Sequence, residues 1–121
     1  MGRTLASNQS LLVLILSQNN IGASGTFSLA DGMKLNHSLK KLKISGNRIR
    51  NDGAISLAKA LRTNRTLSAL VVAGNKITYD GASALAGALA VNTTLSFLDL
   101  SANRIFVEVT NFRSSTAPKN A

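Results

Sequence analysis

Apolar residues along this chain return in a fixed order, with polar residues held at fixed places between them. In the stretch Asn36-His-Ser-Leu-Lys-Lys-Leu-Lys-Ile-Ser-Gly-Asn-Arg-Ile the apolar positions are Leu39, Leu42, Ile44 and Ile49. The same order starts again at Asn8, Asn64 and Asn92, so successive blocks begin 28 residues apart. A second asparagine in each block, Asn19, Asn47, Asn75 and Asn103, keeps that spacing. Self-similarity at such a period marks an array of stacked units, each burying its neighbour's apolar face.

Each unit has two halves. The last two apolar positions of the first half, Leu42 and Ile44 or Leu98 and Leu100, are two residues apart and so point to one face of a short strand. The second half carries Ala54, Leu57, Ala58 and Leu61, or Ala82, Leu85, Ala86 and Leu89, at helical spacing, which predicts one buried helical stripe per unit. Ser24, Asp52 and Asp80 precede these stripes and are expected as N-caps, their oxygens accepting orphan backbone N–H groups. Asn36, Asn64 and Asn92 follow the helices, where a left-handed asparagine can end a helix and turn the chain into the next strand. Asn19, Asn47, Asn75 and Asn103 follow the strands. There an amide can satisfy backbone groups that stacking buries, giving a ladder of asparagines.

Leu-x-x-Leu-x-Leu-x-x-Asn-x-Ile followed by Gly-Ala-x-x-Leu-Ala-x-Ala-Leu resembles the ribonuclease-inhibitor type of leucine-rich repeat, in the style of the NOD-like receptors, with Ran GTPase-activating proteins as a relative. The resemblance covers residues 8–105. It implies an α/β fold, a right-handed β-α solenoid with short parallel strands on the concave side and helices on the convex side. It also implies a protein-binding role, with GTPase activation or regulation as a further reading by family analogy alone. Two departures matter. Ribonuclease inhibitors are acidic and cysteine-rich, whereas this chain is basic and has no cysteine. The receptors carry a nucleotide-binding domain, and nothing here resembles a phosphate-binding Gly-rich loop.

The organisation expected is a lead-in over residues 1–7, repeats over 8–35, 36–63, 64–91 and a partial 92–105, and a degenerate, flexible tail over 106–121. Past Ile105 the register fails: Val109 and Arg113 stand where Gly and Leu belong, Phe106 to Phe112 alternates like an extended segment, and the remainder is polar. The fourth unit is then a strand without its helix. Solenoids normally finish in polar caps. Here the apolar run Leu11 to Leu16 lies at one end, with Phe106 and Phe112 near the other. Uncovered ends point to a fragment, a truncated product or an oligomer that self-associates through them.

Charge widens the choice of partner. Fourteen Lys and Arg against five Asp and Glu leave +9 on 121 residues, enough to attract nucleic acid, an anionic membrane or an acidic protein. Leu11 to Leu16 is far short of the roughly 20 apolar residues that span a bilayer, and no secretory cleavage pattern follows it. The absence of cysteine suits a reducing compartment, so the cytoplasm is the expected location and the nucleus the other.

Strand positions facing away from the core define the candidate concave surface: Val13, Ile15 and Ser17; Lys41, Lys43 and Ser45; Ala69, Val71 and Ala73; Phe97, Asp99 and Ser101. Val13, Ile15, Val71 and Phe97 make it unusually apolar, with Lys41, Lys43 and Asp99 supplying charge, which fits a protein partner; drift in a degenerate repeat would give the same apolar surface. Arg48, Lys76 and Arg104 follow the ladder asparagines and form a basic rim that can track phosphates. The same row also reads as a solvated edge that discourages end-to-end pairing. Four Asn-x-Ser/Thr sequons, at Asn8, Asn36, Asn64 and Asn92, sit at repeat positions that explain them without glycans. His37 is the only histidine, and the five acids form no pair suited to acid–base work. A non-enzymatic protein without cofactor or metal is expected.

Overall fold

The computed structural model describes residues 2–105. The elements in chain order are α1 (Gly2–Ser7), β1 (Val13–Ile15), α2 (Gly22–Leu35), β2 (Lys41–Lys43), α3 (Arg50–Leu61), β3 (Ala69–Val71), α4 (Tyr79–Leu89) and β4 (Phe97–Asp99). The four strands form one parallel sheet in the order β1-β2-β3-β4. Val13 pairs with Lys41, Lys41 with Ala69 and Ala69 with Phe97, so each pairing joins equivalent positions of successive units. The helices pack side by side in the same sequence, α1 on α2, α2 on α3 and α3 on α4. This is the α/β solenoid expected from the repeat.

The core lies between the sheet and the helix row. Leu42, Ile44, Ile49, Leu57 and Leu61 of the second unit, and Leu70, Val72, Ile77 and Leu85 of the third, are completely buried. Expectation and structure part at α4, where Leu85 is buried but Ala86 and Leu89 are exposed. Among the described residues no helix stands beyond α4, so its outer side has nothing to bury against. The stretch before Asn8 contributes α1, too short to show a period; its Leu5 is buried at the place Met33 and Leu61 hold in the next helices.

The asparagine ladder forms as predicted. Asn47 Nδ2 donates to the carbonyls of Leu16 at 2.9 Å and Ile44 at 2.9 Å, and its Oδ1 accepts from the peptide N–H groups of Asn19 and Ile21. Asn75 repeats this one unit later, on Ile44, Val72, Asn47 and Ile49. Asn103 repeats it again, accepting from Asn75 and Ile77.

Two local expectations are corrected. Asp52 and Asp80 are not N-caps: α3 and α4 begin earlier, at Arg50 and Tyr79, and neither has a side-chain cap at its flanking residue. Ser24 likewise lies inside α2. The orphan donors find partners in adjacent units instead, a division of labour that local sequence cannot display. The N–H of Gly22 donates to the Asn47 carbonyl and that of Arg50 to the Asn75 carbonyl. Asn51 Oδ1 accepts from Thr78 and Gly81 at the start of α4. Asp52 and Asp80 keep a first-turn position that complements the helix dipole.

The second correction concerns Asn36, Asn64 and Asn92. None has a left-handed backbone; Asn36 is extended at φ −85°, ψ 133°. Their side chains are the working part. Asn36 Nδ2 donates to the carbonyls of Leu5 and Asn8, Asn64 Nδ2 to those of Met33 and Asn36, and Asn92 Nδ2 to those of Leu61 and Asn64. A second ladder therefore runs beneath the helix ends, parallel to the first, with all three residues buried. The buried amides of these three sequons are committed to this role. The expectations for Phe106, Phe112 and the tail over 106–121 lie outside the described residues.

Candidate functional site

The sheet has one face on the core and one open face, because alternate residues of a strand point oppositely. Leu14, Leu42, Leu70 and Leu98 take the inner row. The flanking positions make two outer rows across the strands: Val13, Lys41, Ala69 and Phe97, then Ile15, Lys43, Val71 and Asp99. Parallel strands stand about 4.8 Å apart. Neighbours in a row are thus close enough to be touched by one partner residue.

Lys41, Lys43, Val71, Phe97 and Asp99 come together around one hollow of about 610 Å3, with Ser45 and Ala69 in its wall. Its two sides differ. The β2 side presents two ammonium groups, and the β4 side an aromatic ring 55% exposed beside a carboxylate. Val13 and Ile15 share the face but stand on the edge strand, outside this hollow, and are 46% and 60% exposed.

Asp99 holds its charge firmly. The Ser101 hydroxyl, and then the Ser101 peptide N–H at 2.9 Å, hydrogen-bond its carboxylate and hold its pKa below the ordinary aspartate value. Lys41 and Lys43 make no ion pair among the described residues, where the single pair is Lys34 with Asp31 at 3.5 Å. A partner segment carrying an acid and an apolar group would find both complements here.

The basic rim is partly rearranged. Lys76 and Arg104 line a cleft of about 320 Å3 with Asn51, Asp52 and Thr78, but its third cation is Arg50 rather than Arg48. Sequence reasoning passed over Arg50 because Gly22 and Thr78 hold the equivalent places in other units, so nothing recurs. Its backbone is left-handed at φ 58°, as are Arg48 and Lys76 at 55° and 59°. His37 is exposed at the turn into β2. Among the described residues no group of three or more His, Asp or Glu could hold a metal ion, and no helix is long and apolar enough to cross a membrane.

Three stretches of the chain, residues 7–30, 35–58 and 63–86, match a family model described as Leucine Rich repeat. No curated protein matches the chain. Among solved structures, the fold is similar to that of leiomodin-1 Actin-Binding Site 2, with a TM-score of 0.77 at 16% identity over 94% of this chain and 82% of that one. Identity at that level speaks for the fold alone.

Proposed function

Since this chain belongs to the leucine-rich repeat family, we propose that it is a protein-interaction module that holds another protein on the open, concave face of its sheet. The observation that carries this reading is the hollow formed by Lys41, Lys43, Val71, Phe97 and Asp99. Its residues come from three consecutive strands, so only the folded array creates it, and exposed apolar surface set among charges is the composition of an interaction site. A similar fold in a structure named for an actin-binding site supports a protein partner as the class. The repeat style remains nearest to that of the ribonuclease inhibitors and NOD-like receptors, and the cytoplasm or nucleus is where we place its work.

Affinity capture from cell extract, quantified for the wild type against the double variant Val71→Asp, Phe97→Ala, tests this. Proteins held specifically by the wild type should be lost from the variant at unchanged helix content. Retention of every one at full strength contradicts the concave site.

A second reading rests on the cleft lined by Arg50, Lys76 and Arg104, cations that pair with no carboxylate among the described residues. Electrostatic binding of nucleic acid or an anionic membrane there predicts affinity that falls steeply with salt. The triple variant Arg50→Glu, Lys76→Glu, Arg104→Glu separates the two readings. It should abolish RNA or vesicle binding if the cleft works, and leave protein capture intact.

A further inference from the structure

Each unit of this array is completed by the unit before it and the unit after it, so the two end units carry half-made versions of the same contacts. At the first end, Asn8 Nδ2 and Asn19 Oδ1 bond to no described atom. Leu5, Leu11, Leu14 and Leu16, with Thr4 and Asn8, line an apolar hollow of about 290 Å3 there. At the other end, the peptide N–H groups of Asn103 and Ile105 donate to no described atom. Leu95, Leu98 and Leu100 are only partly buried there, and Leu89 and Ile105 are exposed.

We propose that this chain stacks head to tail on a second copy of itself, continuing the solenoid by one further step of its own 28-residue register. That step sets Leu5, Leu11, Leu14 and Leu16 of the second copy on Leu89, Leu95, Leu98 and Leu100 of the first. These are columns of leucine on leucine, like Leu67 on Leu39 within the chain. Asn19 of the second copy offers Oδ1 to the N–H groups of Asn103 and Ile105, as Asn47 does to Asn19 and Ile21. Its Nδ2 reaches the Leu100 carbonyl, as that of Asn47 reaches Leu16. Asn8 of the second copy donates to the carbonyls of Leu89 and Asn92, as Asn36 does to Leu5 and Asn8. The free edge of β4 meets the free edge of β1 in the parallel register the sheet already uses.

Two different surfaces meet in this contact, so growth does not stop at a dimer. The +9 charge opposes stacking, and salt screens it, so assembly strengthens as salt rises. Phosphate binding at the cleft has the opposite salt dependence. The two ends lie off the open sheet face, so stacking and partner capture fail independently.

Sedimentation velocity on the full chain in 0.5 M salt should show a mass that climbs with concentration past the dimer. A monomer at every concentration overturns the stack. Two variants then identify the faces. Asn8→Asp with Leu11→Glu blocks the first end, and Leu89→Glu with Ile105→Glu blocks the second, each weakening self-association about ten-fold or more. Mixed in equal amounts, the two variants should form a dimer and grow no further, because each retains one sound face. Self-association that survives either block, or a mixture that stays monomeric while both variants keep wild-type helix content, overturns the head-to-tail contact.

Discussion

The two inner units and the two end units follow one register, yet the same letter does different work in each. Leu42 and Leu70 are fully buried, while Leu14 and Leu98, at the equivalent places, are only partly so. Asn47 and Asn75 have ladder partners on both sides; Asn19 lacks a donor to its Oδ1, and the Asn103 N–H has no described acceptor. The left-handed position before the ladder asparagine is Gly46 and Gly74 in the inner units, but Gln18 and Ala102 at the ends, with φ of 60° and 56°. Stability in a solenoid is a sum of unit and nearest-neighbour terms. A residue's energetic worth here is therefore set by how many neighbouring units it has.

The widest gap between inner and end units should appear on truncating the inner-row leucines. Leu70→Ala is expected to cost about 3–5 kcal/mol, since a closed core leaves a cavity, and Leu14→Ala about 1–2 kcal/mol at an open end. Urea denaturation midpoints measure both. Equal losses would mean that the ends are covered as well as the middle.

Next comes the ladder. Asn47→Ala strands the carbonyls of Leu16 and Ile44 and the N–H groups of Asn19 and Ile21, for about 3 kcal/mol, whereas Asn103→Ala, half open to water, should cost about 1 kcal/mol. The same denaturation series reads the difference.

A smaller effect, opposite in sign at the two positions, tests the left-handed turn. A Cβ at Gly74 meets almost nothing, so Gly74→Ala isolates the backbone cost and should destabilise by about 1 kcal/mol. Ala102→Gly relieves the equivalent strain and should gain a little less than that, because glycine also loosens the unfolded chain. Thermal midpoints moving in opposite directions would bear this out.

The smallest effect lies at the candidate site. Ser101→Ala removes the hydroxyl that holds Asp99 low, so the Asp99 pKa should rise part of the way to the ordinary aspartate value, the Ser101 N–H still contributing. Because the folded pKa is depressed, the stabilisation is present above the unfolded aspartate value and is lost as pH falls through the folded one. A carboxyl NMR titration follows the shift directly.

Much of this was legible in the sequence because the repeat supplies several readings of each position. Strand faces, inner leucines and the first ladder all follow from residues that recur at four places. What escaped was of two kinds. The caps of α2 to α4 come from residues in adjacent units, such as the Asn47 carbonyl for Gly22 and Asn51 for Gly81, so local patterns such as Asp52-Gly53 misled. The second ladder hid behind a plausible local role, since a helix-ending asparagine and a stacking asparagine look alike in one dimension. At the site, Lys41, Lys43, Val71, Phe97 and Asp99 were found because strand alternation dictates their direction. Arg50 was not, because it occurs in one unit only.

Amide hydrogen exchange along the first ladder, measured at high dilution, tests most directly the claim that the array is closed in its middle and open at its ends. The amides of Asn47 and Asn75, each held by the next asparagine's Oδ1, should exchange only with global unfolding. Those of Asn103 and Ile105 should exchange orders of magnitude faster. Equal protection at all four positions would contradict the account.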